Sequence, residues 1–138
     1  MIRDIIKDQE VLKQASKPFL FGKDSELIKD LIDTAEAHRP NCVGLAAIQL
    51  GVQKRAVVAL VGGKFTPFIN PTIVNKSHTT YVAEEGCLSL EGLHKVKRHQ
   101  WVMVKYQTRT GRWTARKFFG REAQILQHEI DHCNGILI

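Results

Sequence analysis

Two histidines stand four residues apart near the end of the chain, in the stretch His128-Glu129-Ile130-Asp131-His132. Because an α-helix advances about 100° per residue, this spacing predicts a helix that presents both imidazoles to one cation. Glu129 lies between them and would point toward a water bound to the same ion. The pattern favours a site for metal-assisted hydrolysis, although a solvated pair of histidines on an exposed helix has the same spacing.

A cysteine supplies the third candidate ligand. Catalytic metal sites usually offer three protein donors and leave one position open. The segment Glu85-Gly86-Cys87-Leu88-Ser89 contains a thiol, and a thiolate binds iron, cobalt, nickel or zinc. We expect Gly86 to permit an unusual backbone turn beside it. Cys87 with the two histidines would form a site of one sulfur and two nitrogens, whereas the alternative is a free cysteine that acts as a small buried hydrophobic residue.

The segment Gly44-Leu45-Ala46-Ala47-Ile48-Gln49 combines small residues, which permit close backbone approach, with one amide side chain. A donor held where negative charge develops stabilises a transition state by about 3 kcal/mol. Gln49 is therefore a candidate for binding an oxyanion. The alternative interpretation is a tightly packed helix start, in which Gln49 only caps the backbone.

In their order and spacing, Gly44–Gln49, Glu85–Ser89 and Gln127–His132 resemble the three signatures of the peptide deformylase family. The resemblance extends along nearly the whole chain. Glu10-Val11-Leu12-Lys13 is similar to the family's N-terminal segment, and Asn70-Pro71 is similar to its strand-ending pair ahead of the cysteine motif. Three separate motifs therefore resemble those of a single family.

The resemblance implies a metal-dependent amide hydrolase that removes the formyl group from the N-terminal formyl-methionine of new bacterial and organellar proteins and releases formate. It also implies one divalent ion per chain, natively Fe²⁺ as in many members. A site of one thiolate and two imidazoles also accepts Zn²⁺, Ni²⁺ or Co²⁺, and zinc generally outcompetes ferrous iron in affinity. The chain departs from the family pattern at Cys42, where many members have glycine, and at Leu90-Glu91-Gly92, where Val-Pro-Gly is common.

Metal and proton-transfer roles carry over from the family position by position. The resemblance implies that the ligands are Cys87, His128 and His132. It implies that Glu129 takes the proton of the attacking water and returns it to the departing amine. These assignments give the chain three protein ligands and one acid/base group, which is the set that metal-assisted hydrolysis requires.

Substrate contacts are implied in the same way. Gln49 and the backbone N–H of Leu88 would bind the formyl oxygen, and Gly44 would contact the backbone of the substrate peptide. Arg98 resembles the arginine that pairs with the motif glutamate, here Glu85; the alternative is a surface ion pair worth at most about 1 kcal/mol. The methionine side chain would occupy a pocket lined by Val43, Glu85, Leu88, Ile125, Leu126 and His128.

Two other classes of protein share part of this pattern. A metallopeptidase uses the same His-Glu-x-x-His geometry, but it gives no reason for the cysteine and glutamine segments. A non-catalytic protein with a structural metal site would need a closed shell of four ligands. In that case Cys42 or Cys133 would supply the fourth.

Hydrophobic periodicity predicts an α+β fold, with short, mostly antiparallel sheets around a central metal-binding helix, in a single domain of residues 1–138. We expect one amphipathic helix from Asp24 to His38 and a second from Gly120 to Cys133 that ends at Asn134-Gly135. On the second helix, Ile125, His128, Glu129 and His132 would face the site. The sequence does not decide whether Leu126 belongs to the methionine pocket or to the core. Segments rich in β-branched and aromatic residues predict strands at 55–61, 68–70, 72–74, 80–82, 101–106 and 113–118.

Composition narrows the setting. Hydrophobic residues make up 43% of the 138 residues, but no apolar run approaches the roughly 20 residues that span a bilayer. The first residues, Met1-Ile2-Arg3-Asp4, are too polar to begin a signal peptide. We therefore expect a cytoplasmic protein. Three cysteines indicate no disulfide framework. The net charge of +6 makes the ribosome and its RNA a candidate partner. Basic residues are densest at 95–99 and 112–117, and an ordinary solvated surface explains them about as well.

Overall fold

Seven strands and three helices form the regular structure of the protein in the computed structural model, which describes residues 1–138. All pairings between these strands are antiparallel. The helices are α1 (Gln9–Leu12), α2 (Ser25–Ala37) and α3 (Gly120–Cys133), with a 3₁₀ turn at Ala47–Leu50. The strands are β1 (Gly44–Ala46), β2 (Ala56–Val61), β3 (Lys64–Lys76), β4 (Thr80–Cys87), β5 (Leu90–His99), β6 (Trp101–Gln107) and β7 (Trp113–Phe119). The prediction of an α+β fold with antiparallel sheets is confirmed.

The long strand β3 joins the two halves of a five-stranded sheet whose order is β1-β2-β3-β6-β7. Its first half pairs with β2 and its second half with β6, with a register shift after Ile69. Asn70 lies at this shift with a φ of 50°, and its side chain hydrogen bonds to the backbone of Phe19. The prediction that Asn70-Pro71 ends a strand is wrong, because these side-chain hydrogen bonds hold the irregularity inside one continuous strand.

Helices cover the two faces of this sheet unequally. Helix α3 packs across one face, whereas α2 packs on the other face, mainly against β1, β2 and β3. The side chains that α3 and the sheet bury together include Val57, Phe68, Val104, Phe118, Leu126 and Ile130. Those buried under α2 include Leu27, Leu31, Ala35, Leu45, Val58 and Ile69. No helix combines the length and apolar character that crossing a bilayer requires.

A separate two-stranded ribbon, β4 and β5, lies against α3 and carries the cysteine motif at its turn. Gln127 of α3 fixes the ribbon: its Oε1 accepts from the backbone N–H of His99 at 2.8 Å, and its Nε2 donates to the His99 carbonyl at 2.9 Å. The ribbon register pairs Cys87 with Leu90. This packing brings Cys87 to the helix that carries the histidines.

Two local predictions differ from the structure. The segment that opens with Gly44 begins as strand β1, and only Ala47–Leu50 turns into a 3₁₀ helix, so the helix-start interpretation applies to its second half alone. Gly86 lies inside β4 and does not have a positive φ. The irregularity there is a register shift between Glu85 and Cys87, because the hairpin accommodates the motif by a bulge rather than by a glycine turn.

Candidate metal centre

Cys87, His128 and His132 converge on one point. Nε2 of His132 lies 3.2 Å from Nε2 of His128 and 3.5 Å from Sγ of Cys87, and the ligand atoms of all three residues lie within 4.8 Å of one another. The two histidines are one helical turn apart on α3, and both are buried. The three ligands predicted from the sequence therefore meet, although Cys87 lies on β4 and the histidines lie on α3.

The two imidazoles face each other, and their pKa values differ widely. Burial, followed by repulsion from His128, lowers the pKa of His132 to about 3. Burial also lowers the pKa of His128, but the neighbouring Glu129 and Cys87 outweigh it and raise this pKa to about 10. A proton on His128 satisfies only that one pair of nitrogens. A divalent ion between the rings and the thiolate satisfies all three donors at once, and this is a donor set that binds iron or zinc.

A buried ion-pair network orients His128. Oε1 of Glu85 accepts from Nδ1 of His128 at 2.9 Å, which leaves Nε2 free to face the site. Arg98 donates to both carboxylate oxygens of Glu85, at 2.9 and 2.6 Å, and also to Asp131 at 2.6 Å. Burial alone would raise the pKa of Glu85, but the hydrogen bonds from Arg98 and His128 lower it to about 2. The side chains of Arg98 and Glu85 are only 4% and 6% exposed, so the surface-pair alternative is wrong.

Glu129 is a buried carboxylate without a hydrogen-bond partner on Oε1. Burial is the main reason that its pKa rises to about 7. Its other oxygen faces the backbone of Gly44, where a β-carbon would come within 2.7 Å of Oε2. The carboxyl group therefore stands beside the ligands with one oxygen that no protein group hydrogen bonds, and its raised pKa favours proton exchange near neutral pH.

The amide of Gln49 is held at the edge of the ligand cluster. Its Oε1 accepts from the backbone N–H of Ala46 at 3.0 Å. Its Nε2 donates to Sγ of Cys87 at 3.3 Å and to Oγ of Ser89 at 3.2 Å. Gln49 is thus fixed with its donor group pointing at the site, and its two N–H groups already have partners within the cysteine motif.

A cavity of about 770 Å³ opens onto this cluster. Among the sequence-predicted site residues, those that line it are Val43, Gly44, Gln49, Glu85, Cys87, Leu88, Ile125, His128 and Glu129. His132 lies beneath the lining and is 1% exposed. Leu126 does not line the cavity: its side chain is fully buried in the core between α3 and the sheet. The structure therefore assigns Leu126 to packing, because its position on the helix points toward the sheet.

Several lining residues were not predicted from the sequence. Gln124 lies one helical turn before His128, and Arg121 lies about two turns before it. The 3.6-residue period of α3 could therefore have indicated both residues. Tyr81 lies opposite them on β4 and donates from its hydroxyl to Oε1 of Gln124 at 3.3 Å. No local signal marks Pro40 and Asn41, because they reach the cavity only through the fold.

Three ligands from two elements, a buried carboxylate beside them and an open cavity define a single-metal hydrolase with an incomplete coordination shell. Only three side chains form the ligand group: Cys42 hydrogen bonds instead to the carbonyl of Gly44, and Cys133 lies in the core. The closed four-ligand site of a structural metal is therefore not formed.

Comparison with known proteins agrees with this class. The family model described as polypeptide deformylase matches residues 2–138. The peptide deformylase of Clostridium beijerinckii is 45% identical over 138 residues, covering 100% of both chains. The chain belongs to the peptide deformylase family, whose members remove the N-terminal formyl group from nascent peptides by metal-dependent hydrolysis, and this is its activity.

Solved structures support the same assignment. The class I type b peptide deformylase of Acinetobacter baumannii superposes with a TM-score of 0.91 at 32% identity, covering 99% of this chain and 97% of that one. The peptide deformylase of Thermotoga maritima gives a TM-score of 0.91 at 35% identity, covering 99% and 95%. The Acinetobacter enzyme has also been crystallised with Met-Ala-Ser bound.

Proposed function

We propose that residues 1–138 form one catalytic domain in which Cys87, His128 and His132 hold a single divalent metal. The observation that carries this proposal is the meeting of one sulfur and two ring nitrogens within 4.8 Å, beside a carboxylate oxygen that has no protein partner. A divalent ion held there would polarise the formyl carbonyl and lower the pKa of a water. The remaining work falls to the side chains around it.

Glu129 is the proposed acid/base group. Its raised pKa, about 7, lets it accept a proton from the attacking water and later donate that proton to the departing methionyl amine. Gly44 supports this role because its lack of a side chain leaves room for the carboxylate. One side chain, Glu129, therefore both accepts the proton and returns it.

Gln49 and the backbone N–H of Leu88 are the proposed donors to the formyl oxygen. Since both N–H groups of Gln49 have partners in the cysteine motif, the amide must release one of them to the substrate. Ser89 is the partner to be given up, since its hydroxyl oxygen only accepts this bond and can accept from another donor instead. A donor that strengthens its bond as negative charge develops lowers the barrier rather than only binding the substrate.

The cavity is the proposed site for formyl-methionine. Val43, Gly44, Glu85 and Ile125 line it, and Leu126 supports Ile125 from the core. An unbranched thioether side chain would pack against Val43 and Ile125 of this lining, and each methylene-scale mismatch costs roughly 1–3 kcal/mol of selectivity. Substrates with a smaller first residue are thus expected to react more slowly.

The resident metal is proposed to be Fe²⁺, with Zn²⁺, Ni²⁺ or Co²⁺ as substitutes. One thiolate and two imidazoles accept all four, and the family resemblance supports iron. We further propose that the protein works in the cytoplasm on peptides emerging from the ribosome, since formylated nascent chains are its substrate and its net charge of +6 favours polyanionic surfaces.

The test is formate release from formyl-Met-Ala-Ser by protein purified without oxygen, together with metal quantification. The variant Glu129→Gln should retain one metal per chain and lose about 10²- to 10⁴-fold in turnover, since it removes proton transfer and no ligand. Loss of the metal together with the activity would show that the roles are wrongly assigned.

A further inference from the structure

The positive charge of the protein is concentrated in one segment. From Gly92 to Arg121 the chain contains nine Lys or Arg and no Asp or Glu. The rest of the chain is left with eleven basic and fourteen acidic residues, so this segment is the source of the net charge of +6. It comprises most of β5, which belongs to the separate ribbon, and all of β6 and β7, which carry Lys105, Arg116 and Lys117.

One face of the β6–β7 pair is not covered by a helix. Residues of β6 that alternate with this face pack against α3, for example Val102 and Val104, while α2 packs mainly against β1, β2 and β3. We call the uncovered side the β6–β7 face. Its members, paired across the two strands, are Trp101 with Phe119, Met103 with Lys117, Lys105 with Ala115, and Gln107 with Trp113.

Aromatic rings at the two ends of the β6–β7 face flank two lysines. Both tryptophans of the chain lie on it, and Trp113 and Phe119 are 53% and 60% exposed. Nζ of Lys117 lies 3.9 Å from the ring centroid of Trp101, and Nζ of Lys105 lies 5.1 Å from that of Trp113. Neither lysine forms an ion pair with a carboxylate, so no acidic side chain of the protein neutralises the two ammonium groups beside the rings.

We propose that the β6–β7 face binds single-stranded RNA, with Lys105 and Lys117 at phosphates and the aromatic rings stacked on bases. Proteins that bind single-stranded nucleic acids combine positive charge at the phosphates with exposed aromatic side chains that stack on bases. A second copy of this chain is a poor occupant, since the same face carries no acidic residue to pair with these lysines. The inference deepens the association with ribosomes and rests on that part of the proposed function for its biological setting.

The face also has a direct connection to the active site. Strand β7 ends at Phe119, and the next two residues, Gly120 and Arg121, line the catalytic cavity. RNA bound on β7 would therefore hold the mouth of the cavity close to the nucleic acid surface. This arrangement suits an enzyme whose peptide substrate emerges beside RNA.

The experiment measures binding of a fluorescein-labelled 12-nucleotide oligouridylate by anisotropy between 50 and 200 mM salt, and quenching of the protein's tryptophan fluorescence by the unlabelled oligomer. The proposal predicts quenching, because Trp101 and Trp113 both lie on the face. The variant Lys105→Gln/Lys117→Gln should reduce the slope of log K against log salt by about 1.4. Trp113→Ala should weaken binding about 10-fold, as expected for the loss of one stacked base.

The matched control is Lys7→Gln/Lys23→Gln, which removes the same charge from exposed lysines outside the face; it should leave the salt slope unchanged. Formate release from a short formyl peptide should stay at the wild-type rate in every variant, which reports folding and tests deformylation separately from RNA binding. Equal loss of RNA binding in the control, no binding at 50 mM salt, or equally tight binding of polyglutamate with the same quenching would overturn the proposal. RNA binding by a protein that does not bind ribosomes would overturn only the ribosomal setting.

Discussion

Gly44 and Glu129 approach so closely that no side chain fits between them. A β-carbon on Gly44 would lie 2.7 Å from Oε2 of Glu129 and 2.9 Å from Cγ2 of Ile125. Since φ at Gly44 is not positive, glycine is needed here for space and not for backbone conformation. The strand β1 thereby sets the position of the acid/base group on α3.

Replacement of Gly44 by alanine should therefore displace Glu129. We expect a loss of about 10²-fold in kcat, the size that a misplacement of about 1 Å produces, with about 1–3 kcal/mol of lost stability from overpacking. Formate release and thermal unfolding measure the two effects. Gly86→Ala is the comparison, because its β-carbon would meet Leu93 at an ordinary 3.5 Å. Wild-type kcat in Gly44→Ala would contradict the close packing.

Glu85 and Asp131 both contact Arg98, but only Glu85 contacts His128. Glu85→Gln should weaken metal affinity by about 10- to 100-fold, as loss of a ligand-orienting carboxylate does. Asp131→Asn removes the same charge and should cost less than about 10-fold. Competition with a chelator of known affinity measures both. Equal weakening by the two variants would mean that charge around Arg98, rather than the hydrogen bond to His128, supports the metal.

Gln49→Ala should lower kcat by about 10²- to 10³-fold, the usual effect of removing one oxyanion donor. KM for a formyl peptide should change little, because the proposed bond strengthens in the transition state. Steady-state kinetics over a range of peptide concentrations separate the two constants. A change confined to KM would assign Gln49 to ground-state binding.

Cys42 and Cys133 should resist thiol reagents until the pH is high. Burial is the main cause that raises the pKa of Cys42 and of Cys133 to about 12 each, so about one molecule in 10⁴ carries either thiolate at pH 8. In chelator-treated protein a thiol reagent at pH 8 should modify one group, Cys87, and prior addition of zinc should protect it. The other two should react only as the pH approaches 12. Rapid modification of two or three thiols at pH 8 would contradict the burial of Cys42 and Cys133.

Sequence reasoning succeeded where a pattern is local. The four-residue spacing brings His128 and His132 to one side only if the segment is a helix, and it is one. Helix α3 also ends at Cys133, directly before Asn134-Gly135, as predicted. The division of α3 into a site face and a core face followed from the same 3.6-residue period. Strands rich in β-branched residues, such as β2 and β6, were also predicted within one residue at each end.

Features that depend on tertiary contacts were not predicted from the sequence. Strand β5 was not predicted, because four of its ten residues are charged. It is stabilised by pairing with β4 and by the contact between Gln127 and His99. The buried state of Arg98 was not predicted either, since a charged residue is buried only when partners from elsewhere in the chain surround it. Leu126 could not be apportioned until the rotation of α3 against the sheet was known.

The central claim is that Cys87, His128 and His132 bind one ion that keeps an open coordination position. X-ray absorption on zinc-loaded protein tests it most directly. One sulfur at about 2.3 Å and nitrogen or oxygen atoms at about 2.0–2.1 Å are expected around the zinc, with the sulfur lost in Cys87→Ser. A wild-type spectrum with no sulfur, or with two or more, would contradict it.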